Sequence, residues 1–278
     1  MNLGAIPTYD PYGALSHRSP TNRQTHLRQE DLPWVWPLPS KLKPTTARET
    51  TAGVDIDRHL DLCNEGDVAR VQAELLRCKR YPAYFVMTHC FTKDEHDARH
   101  PVKRFPRKRY IVYVLRELAK NRLVAIPKSR QIMITWTVLC YLLHMALFNQ
   151  HRLIFLQSKK EDDAVALIDR VKHTYTHLPW WIQSAAPLRK KMPIMPYNKL
   201  LVGNGSTIWG IPQGPDILRQ HTASAIMADE GAFQAKHEDS YKAAKPTIDG
   251  GGKYIIVSSA NGKNFFYRIC YDLIDSAA

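Results

Sequence analysis

The sequence has no apolar segment long enough to cross a membrane. Its longest largely apolar run, residues 136–148, has 13 residues and contains His144, whereas a membrane-spanning helix needs about 20. The first 13 residues hold neither a basic start nor an apolar block, so we expect no secretory signal.

Cysteine is scarce and odd in number. The five cysteines are widely separated along 278 residues, which favours a reducing compartment over a disulfide framework. Some of them lie near histidines, but the group lacks the paired spacing that is typical of zinc ligands, and no zinc is expected there. The residues considered for zinc are Cys78, His89, Cys90, His96 and His100.

Acidic residues are fewer than basic ones. Asp and Glu total 26 against 39 Lys and Arg, which gives a net charge of +13. This excess indicates a polyanionic partner, nucleic acid first, although charge that serves only solubility would give the same count. The apolar share of 44% and the aromatic share of 10% exclude disorder throughout the chain.

The chain divides into three parts. Residues 1–52 carry seven prolines and are predicted to form a flexible tail. Residues 53–122 form a helical lead-in that contains a basic segment, with a long polar loop over 91–106. Residues 123–278 alternate strands with helices, which predicts an α/β core with a mostly parallel sheet and helices on both faces. The core strands are expected at 123–126, 152–156, 225–227 and 254–257, with a hairpin at 200–209 and helices at 134–148 and 161–178.

The loop after the first core strand has features of a phosphate site. Ligands in such sheets bind beyond the carboxyl ends of strands, and a helix start suits phosphate. Lys128 and Arg130 add positive charge, and the Thr135 hydroxyl is placed to meet Mg²⁺. The usual Gly-Lys of a P-loop (Walker A) is missing, and a solvated helix cap is the alternative. The predicted phosphate-binding residues are Lys128, Ser129, Arg130, Gln131, Ile132, Met133, Ile134 and Thr135.

A second strand ends in two adjacent carboxylates, Asp229 and Glu230. One would hold magnesium and the other would polarise the attacking water, as in a Walker B motif. An ordinary helix cap is the alternative. The two motifs together, each at a strand end and about a hundred residues apart, predict a nucleotide site. The last strand ends in Ser258, Ser259, Ala260 and Asn261, which would sense a γ-phosphate or form an ordinary turn.

These motifs resemble the large terminase subunit, the DNA-packaging motor of tailed bacteriophages, in its ATPase portion. The resemblance covers roughly residues 80–265. It rests on segments 92–97, 101–106, 127–131 with 135–136, 157–163, 209–212 with 214–217, 228–230 and 258–261. It implies a P-loop NTPase fold of the additional-strand type, and we assign the extra strand to residues 152–156.

The resemblance also implies roles for single residues. Lys128 would contact the β- and γ-phosphates of ATP, and Arg130 would stabilise their charge. Thr135 and Asp229 would hold Mg²⁺, and Glu230 would activate water. The segment that would couple hydrolysis to movement consists of Ser258, Ser259, Ala260 and Asn261.

The implied function is ATP hydrolysis that drives DNA translocation in the cytoplasm of the infected bacterial host. Expected partners are double-stranded DNA, the portal protein, the small terminase subunit and further copies in a ring, with no membrane. The chain ends at Ala278, before a nuclease domain would begin, so DNA cleavage is not expected. Two alternatives remain: a degenerate terminase fragment that binds DNA or a partner without turnover, and a helicase-like ATPase of another family.

A cluster of five positive charges precedes the core. Such a segment would contact DNA phosphates without reading sequence, and a solvated surface is the alternative. The predicted DNA-binding residues are Lys103, Arg104, Arg107, Lys108 and Arg109.

Overall fold

The computed structural model describes residues 65–106, 108–189 and 196–271. The predicted tail over 1–52 and the basic residue Arg107 lie outside the described residues. None of the helices in the described ranges is both long enough and apolar enough to cross a membrane.

A six-stranded sheet forms the centre of the molecule, and helices cover both of its faces. The strands are β1 (Phe91–Lys93), β2 (Val102–Arg104), β3 (Leu123–Pro127), β4 (Leu153–Ser158), β5 (Lys199–Leu201), β6 (Thr207–Pro212), β7 (Ala225–Asp229) and β8 (Lys253–Ser258). The helices are α1 (Glu65–Arg80), α2 (Pro82–His89), α3 (Arg109–Lys120), α4 (Ile134–Phe148), α5 (Glu161–Thr176), α6 (Trp180–Ala185), α7 (Asp216–Gln220), α8 (His237–Asp249) and α9 (Phe265–Tyr271).

The large sheet has the order β3-β8-β7-β4-β6-β5. The pairs from β3 to β6 are parallel, and only the β5–β6 edge pair is antiparallel. The predicted parallel sheet and the hairpin are therefore confirmed. The register sets Pro127 beside Ser258, and Val257 beside Asp229, so three strands end side by side at one edge of the sheet.

The position of the extra strand differs from the prediction. The strand that lies between β3 and β7 is β8, while β4 lies on the far side of β7. The assignment of residues 152–156 to that place is wrong, because order along the chain does not determine order in a sheet. The additional-strand topology itself is present.

Alternating residues of the central strands supply two apolar cores, because successive side chains of a strand point to opposite faces. In β7, Ala225 and Met227 join one core, while Ile226 and Ala228 join the other. Helix α4 packs in the first core and is buried almost all round. Its residues Leu142 and Leu143 have no exposed surface, which explains the long apolar run in the sequence.

One prediction upstream of the core needs correction, while residues 84–87 simply form part of α2 and are buried. The segment 91–106 is not simply a loop, since β1 and β2 pair antiparallel within it. The buried ring of Phe91 anchors this small ribbon, and the many polar residues around it hid the strand pattern.

Candidate nucleotide site

The loop between β3 and α4 bends sharply without glycine. Gln131 and Met133 both have φ of 61°, a left-handed conformation that costs non-glycine residues roughly 1–2 kcal/mol. Contacts to the loop backbone hold it in place: Tyr110 donates to the Ile132 carbonyl at 2.9 Å, and Thr137 donates to the Met133 carbonyl at 2.8 Å. Strain that the surroundings maintain in this way is common at functional sites.

This loop leads into the start of α4, whose first amide groups give a partial positive charge. Ser129, Arg130 and Gln131 are exposed at the loop surface, whereas Ile134 is buried. The predicted phosphate-binding residues thus form the continuous segment from the end of β3 to the first residues of α4, at the carboxyl edge of the sheet.

The acidic pair lies directly opposite this turn. The Thr135 hydroxyl donates to Oδ1 of Asp229 at 3.1 Å, although the two residues are 94 positions apart in the chain. Lys128 Nζ lies 2.7 Å from Oε1 of Glu230 across 102 positions. The structure thus brings together the four residues that the sequence singled out on two separate strand ends.

The two carboxylates differ in their electrostatic surroundings. Burial, with the neighbouring charge of Glu230, raises the pKa of Asp229 to about 6, although Thr135, Lys128 and Arg170 act against this rise. Burial would also raise the pKa of Glu230, but hydrogen bonds from Lys128 and Ser259 outweigh it and lower that pKa below its ordinary value. Without a cation, Glu230 therefore favours the ionised form, whereas Asp229 is protonated more readily.

The segment at the end of β8 contacts Glu230 and the turn that follows it: the Ser259 amide and hydroxyl each donate to Oε2 of Glu230 at 3.2 Å. Lys128 N–H donates to the Ser258 carbonyl at 2.9 Å, and Ala232 N–H donates to the Ser258 hydroxyl at 3.0 Å. Asn261 donates to the Ala232 carbonyl at 3.1 Å. Ser258, Ser259 and Asn261 therefore connect the strand end to the turn that follows Glu230, and Ala260 is exposed beside them.

Sequence reasoning missed two side chains that support the site. Gln234 donates to the Asp229 carbonyl at 2.8 Å, and the positive charge of Arg170 acts against the rise in the pKa of Asp229. Neither residue belongs to a recognisable sequence motif, because single glutamines and arginines are common on helices and turns.

The basic residues that precede and begin α3 lie beside the β3–α4 loop, and they differ in exposure and in ion pairing. Lys103 forms an ion pair with Asp97, while Arg104 and Arg109 are exposed and Lys108 is half-buried. Helix α3 starts at Arg109 and has no acidic residue in its first turn. Tyr110, the next residue, contacts the β3–α4 loop, so this basic surface is connected directly to the candidate nucleotide site.

Among the described residues, one group of side chains of the types that bind metals has its possible ligand atoms within 4.8 Å of one another. The group consists of Glu74, Cys78 and His89. The carboxylate of Glu74 already accepts hydrogen bonds from Arg77 and from Tyr84. Burial raises the pKa of the Cys78 thiol well above its ordinary value. The group is accounted for as a hydrogen-bonded contact between α1 and α2.

Mg²⁺ in proteins binds oxygen atoms that lie close together. The Thr135 hydroxyl and the buried Asp229 carboxylate supply such a pair at 3.1 Å, so these residues fit the ion that the sequence predicts. A triphosphate would lie along the turn with its negative charge facing Lys128 and the start of α4.

The fold is an α/β fold with a mostly parallel sheet, in which β8 separates the two strands that carry the motifs. No protein-family model matches the chain. Its structure is similar to ATPase portions of phage large terminases, as the following comparisons show.

The ATPase domain of the large terminase of Thermus phage P74-26 is 15% identical, with a TM-score of 0.42, covering 56% of this chain and 67% of that one. The large terminase of bacteriophage HK97 is 13% identical, with a TM-score of 0.47, covering 67% of this chain and 38% of that one. A large terminase of a thermophilic bacteriophage, in complex with ADP, is 12% identical, with a TM-score of 0.38, covering 54% and 38%. The chain thus spans about two fifths of the longer terminases that it resembles.

Proposed function

We propose that this chain hydrolyses ATP to drive DNA translocation, as the motor portion of a phage terminase large subunit. The observation that carries the proposal is the meeting of two distant motifs at one sheet edge, where Thr135 lies 3.1 Å from Asp229 and Lys128 lies 2.7 Å from Glu230. A metal–triphosphate needs cationic and acidic groups in this arrangement.

The residues have separate tasks in the proposed reaction. Lys128 and the start of α4 bind the β- and γ-phosphates, and Arg130 stabilises the charge that develops there. Thr135 and Asp229 hold Mg²⁺, which when bound neutralises charge on the phosphate oxygens. Glu230 accepts a proton from the water that attacks the γ-phosphorus in line, as the bond to the ADP oxygen breaks.

Movement is proposed to follow from the contacts around the γ-phosphate. The segment Ser258–Asn261 connects the end of β8 to Glu230 and to the turn behind it. A shift of Glu230 during turnover would therefore reach β8, which couples hydrolysis to the sheet. The contact of Tyr110 with the Ile132 carbonyl offers a second connection, from the β3–α4 loop to the basic surface.

The basic surface formed by Lys103, Arg104, Lys108 and Arg109 is the proposed contact for double-stranded DNA. Positive side chains that meet phosphates give binding that is independent of sequence and weakens with salt, as a motor that passes a whole genome requires. By resemblance we extend the proposal to a ring of copies that works with a portal protein and a small terminase subunit in the host cytoplasm.

Phosphate release in the presence of double-stranded DNA tests the proposal. Glu230→Gln removes the base while keeping the side-chain volume, and we expect release to fall by roughly 10²–10⁴-fold. Glu238→Gln is the matched control, because Glu238 lies on α8, where it pairs with Lys242 and Arg268. Equal and slow release by the wild-type chain and Glu230→Gln would favour a binding module without turnover. Strand separation by the active protein would favour a helicase.

A further inference from the structure

The loop between β3 and α4 contains a run of backbone amides that have no backbone partner. On either side of the run, Lys128 N–H donates to the Ser258 carbonyl and Thr137 N–H donates to the Met133 carbonyl, each at 2.9 Å. Within the described part of the chain, the amides of residues 129–133 donate to no other backbone group. Successive free N–H groups form the concavities in which proteins bind anions, so this loop offers donors to phosphate oxygens.

One contact fixes the orientation of a peptide inside this run. The Tyr110 hydroxyl donates to the Ile132 carbonyl at 2.9 Å, and burial raises the pKa of Tyr110, so the hydroxyl keeps its hydrogen at neutral pH. A trans peptide is planar, and its C=O and N–H point in opposite directions. The Met133 N–H belongs to the same peptide as the Ile132 carbonyl. It therefore points away from Tyr110.

The loop needs such a contact because its own sequence does not favour its conformation. Gln131 and Met133, on either side of Ile132, both have φ of 61°, which residues other than glycine adopt only at a cost. No side chain of the chain caps the start of α4. Strained backbone of this kind persists only where its surroundings hold it. Without a hold, the peptide between Ile132 and Met133 would turn.

Tyr110 acts from a fixed point, because its helix is anchored in the core. In α3, Ile111 and Leu115 have no exposed surface, and the side chains of Tyr110 and Ile132 pack against the same apolar core. A P-loop of the usual type carries glycines in its turn. In this chain a hydroxyl from a neighbouring helix holds a turn that contains none.

We propose that Tyr110 is a positioning residue for the loop over residues 128–135: its hydroxyl holds the peptide between Ile132 and Met133 so that the Met133 N–H stays available to a phosphate oxygen. This inference rests on the proposed function. The base of the nucleotide has no part in the role, because the group that Tyr110 orients is a backbone donor to the phosphates. Loss of the hydroxyl therefore weakens the binding of any ligand that carries a triphosphate.

Binding of two ligands tests this role. Tyr110→Phe removes the hydroxyl and keeps the ring, and we expect the Kd of a fluorescent ATP analogue to rise about 3- to 10-fold, as for one lost neutral hydrogen bond. Inorganic tripolyphosphate, measured by competition, should lose affinity by the same factor. The KM for ATP should rise with it while kcat stays within about twofold. A general loss of folded protein would instead lower kcat and leave KM unchanged.

The same helix supplies a matched control. Tyr113 lies on α3 and is 59% exposed, so Tyr113→Phe removes a hydroxyl from that helix without touching the loop. We expect both affinities to stay at the wild-type values in this variant.

A measurement without nucleotide separates this inference from the proposed function. Labelling methionine with ¹⁵N gives few amide signals, because the chain holds seven methionines, and Met133→Leu identifies the signal of Met133. In Tyr110→Phe the Met133 amide signal should shift or broaden as its peptide turns, while that of Met227, buried in β7, should stay in place. Tyr113→Phe should leave both signals unchanged.

The outcomes are distinct. If equilibrium dialysis finds that the wild-type chain binds neither ATP nor tripolyphosphate, the proposed function fails, and the Met133 signal still decides whether Tyr110 holds this peptide. If Tyr110→Phe weakens binding of the ATP analogue but not of tripolyphosphate, Tyr110 acts on the base and the positioning role is refuted. Unchanged affinity for both ligands, or an unchanged Met133 signal, refutes it as well.

Discussion

Replacing Asp229 by asparagine should stabilise the nucleotide-free protein. Asp229 is 9% exposed at the end of β7, and burial raises its pKa from 3.8 to about 6. A folded state that disfavours the carboxylate in this way is destabilised at neutral pH. Asparagine removes the charge, keeps the shape, and still offers an oxygen to the Thr135 hydroxyl.

The size of the effect follows from the pKa. A change from 3.8 to about 6 corresponds to about 3 kcal/mol, at 1.36 kcal/mol for each tenfold change in proton affinity. For a folded region of this size, that amounts to a rise in Tm of about 6 to 12 °C at most. The sign depends on pH: the penalty is absent below the unfolded pKa, grows between about pH 4 and 6, and is complete above that range.

Thermal or urea unfolding at a series of pH values measures this directly. The gain of Asp229→Asn over the wild-type chain should be largest at pH 7–8 and should shrink as pH falls towards 4. The added stability from Mg²⁺ with nucleotide should disappear in the variant, because the ion loses its carboxylate ligand.

A matched control separates this effect from loss of a surface charge. Asp169 lies on α5 with a side chain that is 66% exposed, so Asp169→Asn should change the free energy of unfolding by less than about 0.5 kcal/mol. A gain of Asp229→Asn that is the same at every pH, or no gain at all, would refute the reasoning from burial.

Three further outcomes follow from the site. Gln131→Gly should stabilise the chain by about 0.5–1 kcal/mol in urea unfolding, because glycine accepts the positive φ without strain. Gln150, an exposed residue outside the positive-φ group, should instead lose about that amount on the same change; equal effects at the two positions would contradict the strain argument. Lys128→Met should weaken binding of a fluorescent ATP analogue by roughly 10- to 100-fold, and unchanged affinity would remove Lys128 from the phosphate site. Arg109→Ala should weaken DNA binding on all sequences and reduce the salt slope of log K by about 0.9, and an unaltered slope would exclude Arg109 from the DNA contact.

The sequence predicted the main features of the site because of a simple property of parallel sheets. Lys128 follows one strand and Asp229 follows another, and parallel strands end at the same edge. The positive charge of Lys128 and the carboxylate of Asp229 then predicted that this edge binds a metal–triphosphate. Residues chosen by this rule lie within hydrogen-bond distance across about a hundred positions of chain.

What the sequence could not predict was spatial order and fine orientation. Nothing in the chain order indicates that β8, the last strand, lies between β3 and β7. The contact of Ser259 with Glu230 depends on the left-handed turn at Glu230, and the contact of Gln234 depends on the backbone carbonyl of Asp229 at the end of β7. Such contacts depend on how the loops fold back, which side-chain patterns do not encode.

The central claim is that one metal–triphosphate bridges the two motifs. A crystal structure with Mg²⁺ and a non-hydrolysable ATP analogue tests it most directly. We predict that the ion contacts Thr135 and lies beside Asp229, with Lys128 moved from Glu230 to the phosphates. The analogue bound elsewhere, or bound while the Lys128–Glu230 contact stays intact, would contradict the account.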